Sequence, residues 1–335
     1  MTLDPAVAAV RLAVRGVLDE IADPAGRAVL VACSGGADSL ALLAATVFEA
    51  RSRALRVLGG TVDHGLQEGS DKQADRVLLQ MAGLGADETV AVRVRVDPGG
   101  LGIEAAAREA RYAVLAEVAE RSGAVAVLLG HTRDDQAETV LLGLTRGSGG
   151  RSIAGMRRAY DLFRRPLLDV TRGQTEAACR AEGVAFWEDP QNRDPRFTRS
   201  RVRHVVMPTL ERELGPGVAD TLARTAEQLQ EDVAALDAIA ARAHDDVSKA
   251  GGLDVERLGA LDTAVRRRVI RLAAVAAGCP PGELFRVHVL AVDGLVTAYR
   301  GQRWVDLPGH LRAVREDDRI RFRPSGETVR DAVRG

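Results

Sequence analysis

The sequence has few cysteines, few lysines and no long apolar run, and each shortage excludes a class of protein. The cysteines Cys33, Cys179 and Cys279 lie far apart and form neither a CxxC pair nor an even set, which argues against a disulfide framework. No apolar stretch reaches the length of a membrane-spanning helix, and the N-terminal segment carries acidic residues and helical periodicity, unlike a secretory signal. We therefore expect a cytoplasmic protein that does not enter the membrane and whose cysteines are reduced and buried.

Lysine occurs only as Lys72 and Lys249, so arginine supplies the other formal positive charges. The formal net charge is -1, so the distribution of arginine along the chain is more informative than the total. Between Arg151 and Arg212 arginines outnumber acidic residues, and several lie in predicted loops. A guanidinium matches phosphate geometry with two parallel hydrogen bonds. This segment therefore indicates nucleic-acid binding, and a solvated arginine surface is the alternative.

The length of 335 residues predicts two domains, and the first half reads as alternating strands and helices. Predicted strands cover 28–33, 56–62, 89–96 and 124–130, and predicted helices cover 39–51, 71–84, 104–121 and 135–144. This β-α-β-α order predicts an α/β domain, a doubly wound parallel sheet with helices on both faces. Ligands of such sheets bind beyond the carboxyl ends of the strands.

The second half reads as mainly helical. Thr171 and Gln174 have the spacing of a capping box, so a helix is predicted to begin there and to end by Gly183. A polar loop over 189–200 precedes a helical region that is broken near 215–217, and strand-like pieces occur at 304–308 and 319–324. We predict a catalytic domain over 1–215 and a smaller, mainly helical C-terminal domain over 216–335.

A glycine-rich string follows the first predicted strand and leads into a helix. It consists of Ser34, Gly35, Gly36, Ala37, Asp38 and Ser39. Glycine lets a backbone approach a ligand closely, and a helix N-terminus offers free N–H groups to phosphate oxygens. A carboxylate beside phosphate needs a cation, so Asp38 implies Mg²⁺. A glycine turn in which Asp38 and Ser39 cap the helix is the alternative.

A second string, from His131 to Thr139, follows the fourth predicted strand. Within it Asp135 and Glu138 are three residues apart and share one helical face, where two carboxylates can hold one ammonium group. An acidic first turn that is solvated and favoured by the helix dipole is the alternative. His131 is either a nucleotide contact or an ordinary core or loop histidine.

Together the two strings resemble a known family. SGGADS is similar to the SGGxDS loop of the ATP pyrophosphatases, and GHTRDDQAET with it resembles the tRNA lysidine synthetases. The resemblance covers about residues 28–215, and Ser200 stands where the family has an asparagine. Further matching residues are His64, Gly65, Leu66, Glu104, Arg108, Arg111, Tyr112, Arg165, Pro166, Leu167, Leu168, Asp189, Asn192, Arg199, Arg201, Arg203 and His204.

The resemblance implies an adenine nucleotide alpha hydrolase-like fold and a ligase that uses ATP and Mg²⁺. Such an enzyme adenylates the wobble cytosine of the isoleucine tRNA with a CAU anticodon and joins free lysine to its C2 atom, releasing AMP and pyrophosphate. The loop 34–39 and His131 would bind ATP, and Asp38 would hold the metal. Asp38, Asp135 and Glu138 would be catalytic, with the last two binding lysine. The tRNA would contact Arg108, Arg111, Arg165, Arg199, Arg201 and Arg203.

Two other functions fit parts of this pattern. A tRNA thiolase of the same ATP-binding class would activate the base identically but deliver sulfur, for which such enzymes commonly use paired cysteines. A non-catalytic ATP-binding protein would leave the carboxylates idle. The sequence leaves open whether the protein is a homodimer, how it distinguishes isoleucine tRNA from methionine tRNA, and which carboxylate accepts a proton.

Overall fold

The computed structural model of the chain describes residues 3–21, 26–63, 65, 69–94, 103–146, 149–249 and 251–326. None of the described helices is long and apolar enough to cross a membrane. The chain forms two compact units, the first comprising Met1–Gly147 and Ser152–Glu227, the second Ser148–Arg151 and Gln228–Gly335. The units divide inside one long helix, whereas the predicted domain boundary follows residue 215, at a break between helices.

Helices and short strands alternate through the first two thirds of the chain. They are α1 (Pro5–Asp19), β1 (Ala28–Ala32), α2 (Ala37–Ala50), β2 (Arg56–Asp63), α3 (Ser70–Gly83), β3 (Glu88–Arg93), α4 (Ile103–Ser122), β4 (Ala124–Leu129), α5 (Arg133–Arg146), α6 (Gly150–Ile153), β5 (Ala159–Tyr160), β6 (Phe163–Arg164), α7 (Arg172–Ala181), α8 (Thr198–Arg201), α9 (Met207–Leu214) and α10 (Val218–Val247).

The first unit is built on a six-stranded sheet in the order β3-β2-β1-β4-β6-β5. Its strands are parallel except for β5, and β1 lies between β2 and β4. Val29 and Val31 of β1 pack into a core that includes α1, α2 and α7, whereas Leu30 packs into a second core with Leu115 of α4. The alternation of side chains along β1 therefore fills cores on both faces, which confirms the doubly wound α/β prediction.

The predicted strands and helices of this unit are confirmed within a few residues. Thr171 caps α7 with the predicted capping box, in which its hydroxyl accepts from the Gln174 backbone N–H and the Gln174 side chain accepts from the Thr171 N–H. The predicted polar loop over 189–200 contains a 3₁₀ turn, Pro190–Arg193, and the start of α8. A π-helical turn, Val202–Val206, joins α8 to α9.

The second unit combines helices with a five-stranded antiparallel sheet. Its further elements are β7 (Ser248–Lys249), β8 (Gly252–Asp254), α11 (Val255–Ala260), α12 (Thr263–Ala276), α13 (Arg286–Thr297), β9 (Val305–Leu307), β10 (Leu311–Glu316) and β11 (Arg319–Pro324). The strand order is β7-β8-β11-β10-β9, and Ala313 and Ile320 pack with Leu258 and Ile270 in one core. The strand-like pieces correspond to β9 and β11, whereas β7, β8 and β10 were not predicted.

Candidate active site

A cavity of about 730 Å³ opens at the carboxyl ends of β1, β2 and β4 in the first unit. This is the side of a doubly wound sheet at which ligands bind, next to the strand where the chain order reverses. The glycine-rich loop, Asp38, His131 and Asp135 line this cavity together with Arg203. The two sequence strings therefore meet at one site.

The loop after β1 is shaped by Gly35 rather than by Gly36. Gly35 has φ +84°, and a Cβ atom there would lie 2.8 Å from Val77 Cγ2, so a side chain is excluded by both conformation and space. Gly36 is the N-cap of α2 with φ -80° and has room for a Cβ. The Trp187 N–H donates to the Gly35 carbonyl at 2.9 Å and holds the loop from outside.

The hydroxyl of Ser39 shapes the same loop. It accepts from the Ser34 N–H at 3.1 Å and donates to the Gly36 carbonyl at 2.9 Å. Its donor is thus used internally, and a phosphate at this loop would meet mainly the free backbone N–H groups at the start of α2.

Gly130 brings the second string against the first. A Cβ atom at Gly130 would lie 3.1 Å from the backbone carbonyl atoms of Asp38 and from Ser39 Cα, which is tighter than most real contacts. The end of β4 and the first turn of α2 therefore touch through their backbones. This close approach explains why the HTRDD segment begins after a glycine.

Asp38 projects from the first turn of α2 toward α7. One carboxylate oxygen accepts a hydrogen bond from Thr175 Oγ1, and the other lies 3.8 Å from Arg172 Nε. Burial, and next the charge of Asp135, raise the pKa of Asp38 to about 6. Among the described residues, Arg172 lies too far from Asp38 Oδ2 for a hydrogen bond, so this oxygen is available to coordinate a cation.

No group of three metal-ligating side chains occurs in the described part of the chain. A Mg²⁺ ion at Asp38 would therefore take its other ligands from phosphate oxygens and water. That ligand set is the usual one for Mg²⁺ with a nucleotide, so the residues present fit the ion.

Asp135 and Glu138 lie on one face of α5 as predicted, and three guanidinium groups contact them. Asp135 Oδ1 accepts from Arg172 Nη2 at 2.9 Å and from Arg203 Nη2 at 3.0 Å. Glu138 accepts from Arg203 Nε at 2.7 Å and from Arg199 Nε at 2.9 Å. The carboxylate pair is thus part of a buried ionic network and is not a solvated helix end.

The two carboxylates differ in their access to the cavity. Asp135 lines it, whereas Glu138 is 1% exposed and is not among its described lining residues. Burial alone would raise the pKa of Asp135, but the guanidinium groups of Arg172 and Arg199 outweigh it and lower the pKa to about 2. Asp135 therefore remains ionised at every working pH.

His131 is held at the cavity wall by Arg165. Its Nδ1 accepts from Arg165 Nε at 3.2 Å, and Arg165 also donates to the Arg157 carbonyl and to the Tyr112 hydroxyl. Arg165 is 5% exposed, so its donors serve the interior of the protein. A contact between Arg165 and tRNA stays a prediction. In the structure Arg165 instead holds the His131 ring in place.

The other arginines predicted to bind tRNA lie in different surroundings. Arg199 and Arg203 line the cavity but pair with the carboxylates of α5, and Arg108 and Arg111 line it without an ion pair to a described carboxylate. Arg201 is exposed, and its guanidinium donates to backbone carbonyls of its own loop. The structure thus brings Arg108, Arg111, Arg199 and Arg203 to the cavity and leaves Arg201 outside it.

Two residues that the sequence analysis missed belong to this site, Arg172 and Thr175. Both lie in the first turn of α7 and contact Asp38. A detectable signal was present, since the capping box at Thr171 places Arg172 at the first helical position, where the helix dipole disfavours a cation. His64, Leu66 and the side chain of Glu104, which match the family pattern, lie outside the described residues.

Comparisons with known proteins match both parts of the chain. A PP-loop domain model matches residues 12–210, and a model of the TilS substrate binding domain matches residues 253–321. The tRNA(Ile)-lysidine synthase of Thermobifida fusca is 53% identical over 317 residues, covering 94% of this chain and 97% of that protein. The synthase of Streptomyces coelicolor is 50% identical over 347 residues, with 95% and 98% covered.

The chain belongs to the tRNA(Ile)-lysidine synthase family. This confirms the resemblance drawn from the SGGADS and GHTRDDQAET strings. At Ser200, where the family has an asparagine, the buried hydroxyl donates to the Asn192 carbonyl at 3.0 Å, and His204 Nε2 lies 3.0 Å from the same oxygen.

A solved structure is similar to this family member in its fold. The U34-tRNA thiolase NcsA from Methanococcus maripaludis, determined with its [4Fe-4S] cluster, aligns with a TM-score of 0.57 at 16% identity, covering 68% of this chain and 79% of that chain. At that identity the likeness supports the fold alone. Cys33, Cys179 and Cys279 are buried and free, as predicted, so a thiolase activity is not better supported.

The surroundings of His131 predict a pH dependence of stability in this family member. Burial and, less strongly, Arg165 lower the pKa of His131 to about 3, with Asp135 opposing them. The unfolded state therefore binds the proton more tightly, and the stabilisation by neutral His131 is complete above pH 6.5 and is lost as pH falls toward 3. Between pH 7.5 and 5.0 the wild type should lose about 1–2 kcal/mol more stability than His131→Asn.

Urea unfolding at the two pH values measures this difference. Asparagine is a suitable comparison because its amide oxygen can still accept from Arg165 Nε. Equal pH slopes for the two proteins would mean that the fold does not keep His131 neutral.

Proposed function

We propose that the chain ligates lysine to C2 of the wobble cytosine of isoleucine tRNA with a CAU anticodon, using ATP and forming an adenylated tRNA. The observation that carries this proposal is that the 34–39 loop after β1 and the Asp135 carboxylate of α5 line the same cavity. A single site can then carry out both activation of the base and attack by the amine, in a chain of this family.

In the first step the cytosine C2 oxygen attacks the α-phosphate of ATP and pyrophosphate leaves. The free N–H groups at the start of α2 hold phosphate oxygens, and the glycine at position 35 keeps the loop in the required conformation. His131 is neutral and faces the nucleotide. Mg²⁺, held by Asp38, would offset negative charge on the departing pyrophosphate.

In the second step the ε-amine of lysine attacks C2 and AMP leaves, with loss of one proton from the nitrogen. Free lysine also carries an α-ammonium and an α-carboxylate, and the site offers both opposite charges. Asp135 faces the cavity and would hold the ammonium, and Arg203 beside it would contact the carboxylate. Glu138 lies behind and keeps Arg199 and Arg203 in place.

The low pKa of Asp135 fits a binding role better than a proton-accepting role. A general base works best when its pKa lies near the working pH, whereas Asp135 has a pKa of about 2. We infer that Asp135 orients lysine by charge, and that the amine is deprotonated by another acceptor.

Arg108 and Arg111 are the arginines best placed for tRNA phosphate inside the cavity. Neither forms an ion pair with a described carboxylate, and burial, together with the charges of Arg108 and Arg199, lowers the pKa of Arg111. An anionic ligand would relieve this mutual repulsion. The second unit, which contains the matched substrate binding domain, would contact tRNA away from the anticodon.

Mass spectrometry of an isoleucine tRNA transcript, after incubation with the protein, ATP, Mg²⁺ and lysine, tests the proposed function. A gain of one lysine at the wobble cytosine, with AMP and pyrophosphate formed, supports it. Sulfur incorporation would favour a thiolase, and the absence of pyrophosphate would favour a non-catalytic ATP-binding protein. Gel filtration at several concentrations tests whether the protein is a homodimer, which the sequence leaves open.

Arg201 offers a test of tRNA binding that is separate from catalysis. Arg201→Gln should lower tRNA affinity and reduce the slope of log affinity against log salt by about 1, because one fewer phosphate contact releases counterions. The ATP KM should stay unchanged, since Arg201 is exposed outside the cavity. Arg193→Gln is a matched control, because that exposed arginine pairs with Glu188. An unaltered salt slope would mean that Arg201 does not contact a tRNA phosphate and only stabilises its own loop.

A further inference from the structure

Arg172 lies at the start of α7, where a positive charge is unfavourable unless nearby negative charges offset it. The helix dipole places partial positive charge at this end, which disfavours a guanidinium in the first turn. The position is fixed all the same, because the capping box of Thr171 and Gln174 defines the turn and the Arg172 N–H donates to Asp134 Oδ2 at 2.8 Å. The start of α7 is thus tied directly to the start of α5.

The compensation comes from three carboxylates around one guanidinium. Arg172 Nη2 lies 2.9 Å from Asp135 and 3.4 Å from Glu138, and Arg172 Nε lies 3.8 Å from Asp38. Among the ion pairs of the described residues, those of Arg172 alone reach both Asp38 and Asp135. Arg199 and Arg203 pair with the α5 carboxylates only.

These carboxylates serve different halves of the proposed reaction. Asp38 belongs to the ATP side and Asp135 to the lysine side, and the charge of Asp135 repels that of ionised Asp38. Thr175, in the same turn of α7, donates a hydrogen bond to the other carboxylate oxygen of Asp38. In the first turn of α7, Arg172 and Thr175 therefore both contact Asp38, and Arg172 also contacts Asp135.

We propose that Arg172 is a positioning residue that aligns the two half-sites, so that lysine reaches the adenylated base. This rests on the proposed function. Without the guanidinium, Asp38 is still held by Thr175, but Asp135 loses one of its two closest guanidinium partners and is less well screened from Asp38. Adenylation then continues better than lysine transfer, because misplacement by about 1 Å can slow a reaction step about 100-fold.

The decisive measurement is the ratio of two single-turnover rate constants on the same tRNA, pyrophosphate formation over lysidine formation. Because both are first-order constants of the same enzyme population, a loss of folded protein cancels from the ratio. A merely structural role would leave it unchanged.

Arg172→Gln should raise this ratio at least about tenfold, with adenylated tRNA accumulating. Arg172→Lys should restore the ratio in part, since an ammonium can pair with Asp135 but cannot span to Asp38 as a planar guanidinium does. Arg180→Gln is the matched control, because Arg180 lies on the same helix and pairs with Glu176 at the surface. Its ratio should equal that of the wild type.

An unchanged ratio in Arg172→Gln would overturn the positioning role. Pyrophosphate release without lysidine in the wild type would instead overturn the proposed function itself. The two failures are therefore distinguishable in one set of experiments.

Discussion

Asp38→Asn should lower the rate of pyrophosphate release by at least about 100-fold while leaving the protein as stable as the wild type or more so. Activity is lost because Asp38 is the acidic residue in the first turn of α2, and it lines the cavity beside the 34–39 loop. The stability follows from the raised pKa of Asp38, about 6, because the ionised side chain is less favourable in the folded than in the unfolded state.

The stability gained by Asp38→Asn should depend on pH. A raised folded-state pKa means that ionised Asp38 destabilises the fold above about pH 6, and that this destabilisation fades as pH falls toward the unfolded pKa. Asp38→Asn should thus gain on the order of 1–3 kcal/mol at pH 7.5 and little at pH 4. Urea unfolding at both pH values, beside a pyrophosphate assay, checks both parts.

Thr46→Ser provides a comparison, because Thr46 lies on α2 and its buried hydroxyl bonds the Leu42 carbonyl away from the cavity. It should keep near wild-type pyrophosphate release. If Asp38→Asn also keeps it, then the assignment of the metal to Asp38 fails. If it instead unfolds, Asp38 is a structural residue.

Asp135→Asn should raise the lysine KM by about 10–100-fold with a much smaller change in the ATP KM, because a charge-assisted contact worth about 1.5–3 kcal/mol is lost. Asp135 is the member of the carboxylate pair that lines the cavity. Adenylated tRNA should accumulate in this variant, since the first step does not need lysine. Initial rates at varied lysine, with trapping of the intermediate, measure the effect.

Glu138→Gln should separate a binding role from a supporting role. Glu138 is 1% exposed and pairs with Arg199 and Arg203, so removing its charge leaves two guanidinium groups short of a partner and should cost about 3–5 kcal/mol of stability. Its lysine KM should rise less than that of Asp135→Asn. A larger rise without loss of stability would show that Glu138 itself contacts lysine.

Elements of the first unit were predictable because their signals are local. The strand β1 is a continuous buried apolar run, and the start of α7 is encoded by Thr171 and Gln174 alone. The same holds for the SGGADS loop, whose conformation depends on a glycine at φ +84°. Such features are decided by neighbours within a few residues along the chain.

The partners of the site residues were not predictable because they come from distant segments. Glu138 and Arg203 are separated by 65 residues, and Arg172 reaches Asp38 from another helix. The sequence placed Asp135 and Glu138 on one face, yet nothing local indicated that arginines would occupy that face. The assignment of Arg199 and Arg203 to tRNA therefore overlooked their ionic pairing and stays a prediction.

The C-terminal sheet shows a different limit. The strand β10 reads LRAVRE, where Val314 and Arg315 break the alternation of apolar and polar residues. The strands β7 and β8 are two and three residues long, too short to give a period. The strand β7 pairs only with β8, and β8 joins the sheet through β11, which follows much later in the chain.

The missing side chain at Gly130 also restricts how the site can move. Because the end of β4 touches the first turn of α2 through backbone atoms, the 34–39 loop and the segment that leads into α5 form one rigid unit, and separating them would require bending the central sheet. Motions that admit substrates would then involve the other segments that line the cavity. Trp187, Asp189 and Asn192 line it from one such segment, which is held to the 34–39 loop by the Trp187 hydrogen bond to Gly35. Hydrogen exchange should therefore be slow at the end of β4 and the start of α2, and faster along residues 187–192.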